Sequence, residues 1–158
     1  MGEDIEQTAM NRDIIKTEIW IPGRGVGKGR PRFSSSGKVH TGDRYGKWKR
    51  ETIKYLNSTY PGLTIQTPTY IQCYFVNFLS SDADNLIGSV LDALVQAEII
   101  ENDSSSYVPG CSGEFVKIGK PRGLEKPLGI LIKARSANQT SWDYRAIAAH
   151  LPNQEASA

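Results

Sequence analysis

Apolar positions along the chain change period several times, and each change marks an element. Ile14, Ile15, Thr17, Ile19, Trp20 and Ile21 are β-branched or aromatic and stop at Pro22, which predicts a strand over 14–21. From about Arg44 to Asn57 the spacing becomes helical. Tyr45, Trp48, Thr52, Tyr55, Leu56 and Thr59 recur at three- and four-residue intervals, Asp43 is placed to cap the start, and Pro61 and Gly62 end the region. TYIQCYFVNFL, residues 69–79, has strong β composition and predicts a strand buried on both faces. A second helix is predicted over 84–97, with Leu86, Val90, Leu91, Leu94 and Val95 packing inward. Serines 104–106 mark a turn. Moderate strands near 114–118 and 128–134, separated by GKPRGLEKP, suggest a hairpin. The β-α-β-α-β-β order predicts an α+β fold, a mixed β-sheet with two main helices packed on one face.

Domain organisation follows from the same pattern. Residues 1–12 predict a disordered N-terminal tail, 13–135 a single domain, and 136–158 a C-terminal extension in which Trp142 and Tyr144 could dock a short helix. A chain of 158 residues with 39% hydrophobic content can bury a substantial core. No apolar run approaches the roughly 20 residues of a membrane span. The opening MGEDIEQTAMNRD is acidic and polar, unlike a secretory signal or transit peptide. A cytoplasmic protein without a membrane partner is expected. Cys73 and Cys111 show no CxxC or zinc-finger spacing and are expected as reduced thiols.

The formal net charge of +2 conceals an asymmetry. Residues 24–50 hold nine basic side chains against Asp43 alone, so the rest of the chain is net acidic. A concentrated positive block reads as a polyanion-binding surface, with a solvated basic face as the plainer alternative. Much of the block is a long loop, GRGVGKGRPRFSSSGKVHTGD, and loops of that length in a compact domain are usually functional or disordered. GRGVGKGR is not a Walker A motif. Gly23 precedes Gly27 and Lys28 by one residue too few, and Gly29 stands where Ser or Thr would hold Mg²⁺. The glycines are expected to let the backbone approach phosphates, and Lys28, Arg30, Arg32, Lys38 and Lys49 to grip them. Pro31 stiffens the spacing of the two arginines. Phe33, Tyr45 and Trp48 are stacking candidates, although the last two also fit the core.

DADNLIGSVLDAL, residues 82–94, sets Asp82, Asp84 and Asp92 in and around an apolar segment. Neighbouring like charges cost energy unless a cation sits between them. In extended chain Asp82 and Asp84 share a face. Asp84 or Asn85 could instead cap the following helix, a task for one side chain only. Asp103 follows that helix, whose about fourteen residues span about 20 Å. It joins the pair only if the chain turns back, beginning at Ile99 and Ile100. Three converging carboxylates suit Mg²⁺, which can activate water and neutralise charge on a phosphodiester. An EF-hand is excluded, because Ile87 and Ala93 occupy the positions that need Gly and Glu. Zinc is disfavoured with only His40 and His150 available. Asp92 reads either as a supporting group or as an acidic helix-edge residue.

GKGRPRF, the aromatic and basic helix after it, DADNLIGSVLDAL and the ENDSS segment together resemble the RusA-type Holliday junction resolvases, over roughly residues 14–134. The resemblance implies a homodimeric, Mg²⁺-dependent endonuclease of mixed α/β fold, with Mn²⁺ as a substitute ion. Such enzymes are bacterial or phage-encoded, which implies a nucleoid-associated location. They cut four-way or otherwise branched DNA symmetrically in recombination and repair. Carried over residue by residue, the catalytic and metal-binding aspartates fall on Asp82, Asp84 and Asp103, with Asn102 where family members often have another acid. One departure stands out. The family pattern has a lysine four residues after the second aspartate, and this chain has Gly88 there. Two readings stay open: an active enzyme in which Lys28 or Lys38 fills the gap, or a branched-DNA binding protein with weak or no cleavage. A third, independent of the resemblance, is a polyanion- or RNA-binding domain whose acids are helix caps.

Overall fold

The structure, a computed structural model, describes residues 16–29, 32–33, 35–37, 39–40, 43–79 and 82–137, with 32–33 and 39–40 described by their backbone pairing alone. The expected N-terminal tail, and the C-terminal extension from residue 138 onward, lie outside the described residues.

Strand β1 (Lys16–Pro22) alternates. Ile19 and Ile21 are buried while Lys16 and Glu18 face water. Two short strands follow within the segment expected to be loop, β2 (Arg32–Phe33) and β3 (Val39–His40), paired antiparallel. Helix α1 (Asp43–Thr59) buries Tyr45, Thr52 and Leu56 at the predicted spacing. Strand β4 (Thr69–Val76) leads to helix α2 (Ala83–Gln96), which sends Leu86, Val90, Leu91 and Leu94 into the core. Strands β5 (Gly110–Val116) and β6 (Gly129–Ser136) complete the chain order.

β1, β4, β5 and β6 form one mixed sheet in the order β1-β6-β4-β5, and β2 and β3 a separate two-stranded one. β6 is antiparallel to both of its neighbours, and β4 is parallel to β5. The expected α+β architecture is therefore present. Ile71, Phe75, Ile130 and Ile132 on the sheet and Leu56, Leu86, Val90 and Leu94 on the helices form one continuous core. β1 is an edge strand, and an open edge invites pairing with another chain. Here the Tyr60 hydroxyl accepts the Trp20 backbone N–H at 2.9 Å and occupies part of that edge.

Two expectations need correction. β4 is buried on one face only. Ile71, Cys73 and Phe75 point to the helices, whereas Gln72 is exposed and Tyr70 and Tyr74 are half-buried. On that open face the Arg135 guanidinium lies 4.6 Å from the Tyr70 ring and the Lys133 ammonium 5.9 Å from the Tyr74 ring. Aromatic side chains look apolar in sequence yet tolerate a wet, cationic face. The second correction concerns GKPRGLEKP, which does not close a hairpin, because β4 lies between β5 and β6 in the sheet and pairs with both. β5 also begins earlier than expected. Its start, Gly-Cys-Ser-Gly, has little β propensity, but Gly113 is required: a Cβ there would lie 2.8 Å from Ile87 of α2.

This topology makes α2 a strut along the sheet. It begins beyond the C-terminal end of β4 and ends near the N-terminal ends of β4 and β5. The connection after it is tied down there. The Ile65 N–H donates to the Ile99 carbonyl at 2.7 Å, and the Thr69 N–H to the Tyr107 carbonyl at 2.9 Å. Among the described residues no helix is long and apolar enough to cross a membrane.

Candidate functional site

The N-terminal end of α2 carries the paired carboxylates. Asp82 occupies the N-cap position in extended conformation, with φ −142° and ψ 124°, yet its side chain makes no capping bond. The carboxylate instead accepts the Asn85 side-chain amide at 2.9 Å. Asp84 sits in the first turn, and both aspartates are exposed. Neither Asp84 nor Asn85 holds the cap position. The positive end of the helix dipole helps to tolerate two adjacent negative charges.

Asp103 lies elsewhere. It is exposed in the turn after α2, where the Asn102 side-chain oxygen accepts the Ser104 N–H at 2.8 Å and the Ser104 carbonyl accepts the Val108 N–H at 2.8 Å. The length of α2, about 20 Å, separates this turn from Asp82 and Asp84. Among the described residues no three Asp, Glu, His or Cys side chains form a group able to hold a metal ion. The expected return of the chain does not occur. β5 is parallel to β4, so the chain must reach the opposite sheet end before starting it.

The basic loop packs against the same helix. The Lys28 N–H donates to the Asn85 carbonyl at 3.4 Å. A Cβ on Gly25 would sit 3.1 Å from Leu86, and one on Gly27 would sit 3.1 Å from Asn85. These two glycines therefore allow close loop-on-helix packing. From this anchor the Lys28 ammonium reaches the Asp92 carboxylate at 2.6 Å. The Tyr45 hydroxyl of α1 donates to the same oxygen at 2.5 Å. Burial, then the hydrogen bond to Asp92 and the charge of Asp92, raise the Tyr45 pKa above its ordinary 10.0. The phenol thus remains a donor through the neutral range. Asp92 is a clamp joining α1, α2 and the loop, a role its helical position alone did not reveal.

The other predicted residues fall as follows. Lys49 lies over the Tyr45 ring at 5.3 Å, and Tyr45 stacks with Trp48 at 6.5 Å, so these rings are engaged within the protein. Arg44, Lys47 and Arg50 are exposed on α1. Arg30, Lys38 and the side chain of Arg32 lie outside the described residues. Among the described residues nothing lies within 4 Å of where a Cβ on Gly88 would be. The sequence reading missed a second cationic group, Lys117 and Lys126, which lines a hollow at the same sheet end together with Arg24. Its signal was available, because residues 117–128 hold four basic side chains against Glu125 alone.

Asp82 and Asp84 thus face solvent at the start of α2, and Lys28 packs onto the same helix. The class is a hydrolase acting on nucleic acid. Residues 22–125 match the family model of the endodeoxyribonuclease RusA, and the chain belongs to that family of Holliday junction resolvases. It is accordingly an endodeoxyribonuclease that acts on branched DNA, in a family that generally depends on a divalent metal. A comparison with curated proteins finds no match.

Proposed function

We propose that the protein resolves four-way DNA junctions by paired, Mg²⁺-dependent hydrolysis, and that it does so as a two-fold dimer. The observation that carries this reading is the exposed Asp82 carboxylate, which sits at an N-cap position without capping the helix and accepts the Asn85 side-chain amide at 2.9 Å. Mg²⁺ takes one or two protein carboxylates and fills its remaining positions with water and substrate phosphate, so Asp82 and Asp84 fit it as a donor set. Mn²⁺ would substitute. When bound, the ion neutralises charge on the phosphodiester and lowers the pKa of water.

Asp103 would complete the site from a second copy of the chain. An antiparallel two-fold arrangement sets the far end of one α2 beside the near end of the other and generates two equal sites for two strands of a junction. The separation of about 20 Å within one chain supports this arrangement over a site built by one copy. Lys28, Arg30, Arg32, Lys38 and Lys49 hold backbone phosphates and carry no sequence information in doing so. Lys28 has a second task. It approaches α2 at Asp92, one turn past the empty position at Gly88, and supplies the cation that the helix itself lacks.

A second reading, junction binding without cleavage, draws on the open space at Gly88. Incubation with a synthetic four-way junction decides between them. Symmetrical nicks in Mg²⁺ that vanish in EDTA and in Asp82→Asn support the enzyme. Tight binding with no nicks in Mg²⁺ or Mn²⁺ supports the binding protein.

A further inference from the structure

At the C-terminal end of β4 the chain makes a rigid corner. Asn77 has φ 61°, in the left-handed region that Asn tolerates better than most residues. Its backbone N–H donates to the Val116 carbonyl at 2.9 Å. Its side-chain amide donates to the Pro127 carbonyl at 2.6 Å, and its side-chain oxygen accepts the Ile118 N–H at 2.8 Å. One residue thereby fixes both ends of the segment between β5 and β6. A hollow of about 440 Å³ lies against this corner.

The lining is of two kinds. Phe78, Leu79 and Phe115 give an apolar wall, and Leu79 is 71% exposed despite its chemistry. Arg24, Lys117 and Lys126 give a cationic rim. Phosphate binding alone would leave the exposed leucine without purpose, and an apolar protein partner would gain nothing from three like charges at the rim. A nucleotide needs both, an apolar surface for its base and cations for its phosphates. The volume lies within the roughly 300–1,000 Å³ usual for small-molecule sites. The position also fits. Leu79 is three residues from Asp82, and the loop beginning at Arg24 runs directly onto the first turns of α2 through Gly25 and Gly27.

We propose that this hollow receives one unpaired nucleobase from the branch point of the substrate, with its flanking phosphates at Arg24, Lys117 and Lys126. The inference rests on the nuclease reading and gives a physical origin for its structure selectivity. A base inside intact duplex must first lose its pairing and stacking, whereas a base at a branch point has lost part of both already. The same protein surface then discriminates junction from duplex without reading sequence.

A cycle between protein and DNA tests this. Binding of the full chain to a four-way junction is measured in EDTA, with normal nucleotides and with a single abasic nucleotide placed in turn at each position around the branch point. Leu79→Ser and Phe115→Leu are measured on the same DNAs. Leu79 is exposed, so its variant does not threaten the fold. At one position, base removal should weaken wild-type binding about tenfold, and it should weaken the two variants by less than about twofold. Equal effects on wild type and both variants at every position would overturn the base pocket. It would leave the nuclease reading intact if the wild type still prefers junction to duplex and nicks it in Mg²⁺. Absence of that preference in the wild type would overturn both.

Discussion

At its N-terminal end α2 meets Asp82, Asp84, the packed loop of residues 23–29 and the corner held by Asn77; at its C-terminal end it meets the exposed turn that carries Asp103. The first end is tied by the hydrogen bonds of Asn77, cationic around its rim and concave. The second is a short turn with its backbone satisfied locally by Asn102 and Ser104. The first end gathers cations and an apolar wall beside its two aspartates, and the second carries Asp103 beside the exposed Glu98 and Glu101. The difference teaches how far a strut of helix separates Asp82 and Asp84 from Asp103 within one chain, a separation that the proposed two-fold dimer would bridge.

The sharpest way to break this picture is to neutralise carboxylates at both ends. Asp82→Asn, Asp84→Asn and Asp103→Asn should each lower junction cleavage in Mg²⁺ by about a hundredfold to a thousandfold, the scale of losing one electrostatic stabiliser. All three side chains are exposed, so melting temperatures should stay near that of the wild type. Full activity in Asp103→Asn would reduce the far end to a plain turn. Next in size is the cation. Lys28→Ala should slow cleavage about ten- to a hundredfold, and adding Gly88→Lys to that variant should restore much of the rate, because the space at Gly88 is open. No rescue would mean that Lys28 acts only through phosphate binding.

The Asn77 tie at the first end can be tested by stability. Asn77→Ala removes two side-chain hydrogen bonds and leaves a non-glycine residue at φ 61°, so urea unfolding should show a loss of about 2 kcal/mol. The smallest effect concerns the core beneath both ends. Burial, then the charge of Cys111, pushes the Cys73 thiol from 9.0 up to about 12. The unfolded thiol ionises first as pH rises, so its contribution is intact below about pH 9 and declines toward the folded value. Between pH 8 and 10 the wild type should lose about 1 kcal/mol more than Cys73→Val, read from urea midpoints at the two pH values.

The helices were legible because their burial follows a simple period. Leu86, Val90 and Leu94 could only face one side, and the structure buries all three. The start of β5 was not legible, because Gly110 and Gly113 are chosen for close contact with Tyr70 and Ile87 rather than for strand propensity. The hairpin misassignment has the same root. Local turn residues report that the chain bends, not which strand it meets next. The carboxylate pair was visible as two charges beside an apolar run. What Asp103 meets was not, since the parallel pairing of β4 with β5 is a long-range choice that carries the intervening turn to the opposite end. The bond from Lys28 to Asp92 joins residues 64 positions apart, beyond any local pattern.

The central claim, a site shared between two copies, is tested most directly by mixing two inactive variants. Asp82→Asn and Asp103→Asn are unfolded together, refolded as a one-to-one mixture and given a four-way junction with Mg²⁺. If each site draws on both copies, every mixed dimer contains one intact site and one doubly altered site. Single-strand nicks should then return at about a quarter of the wild-type number of sites. A mixture as inactive as either variant alone, under conditions where refolded wild type cuts normally, would contradict the account.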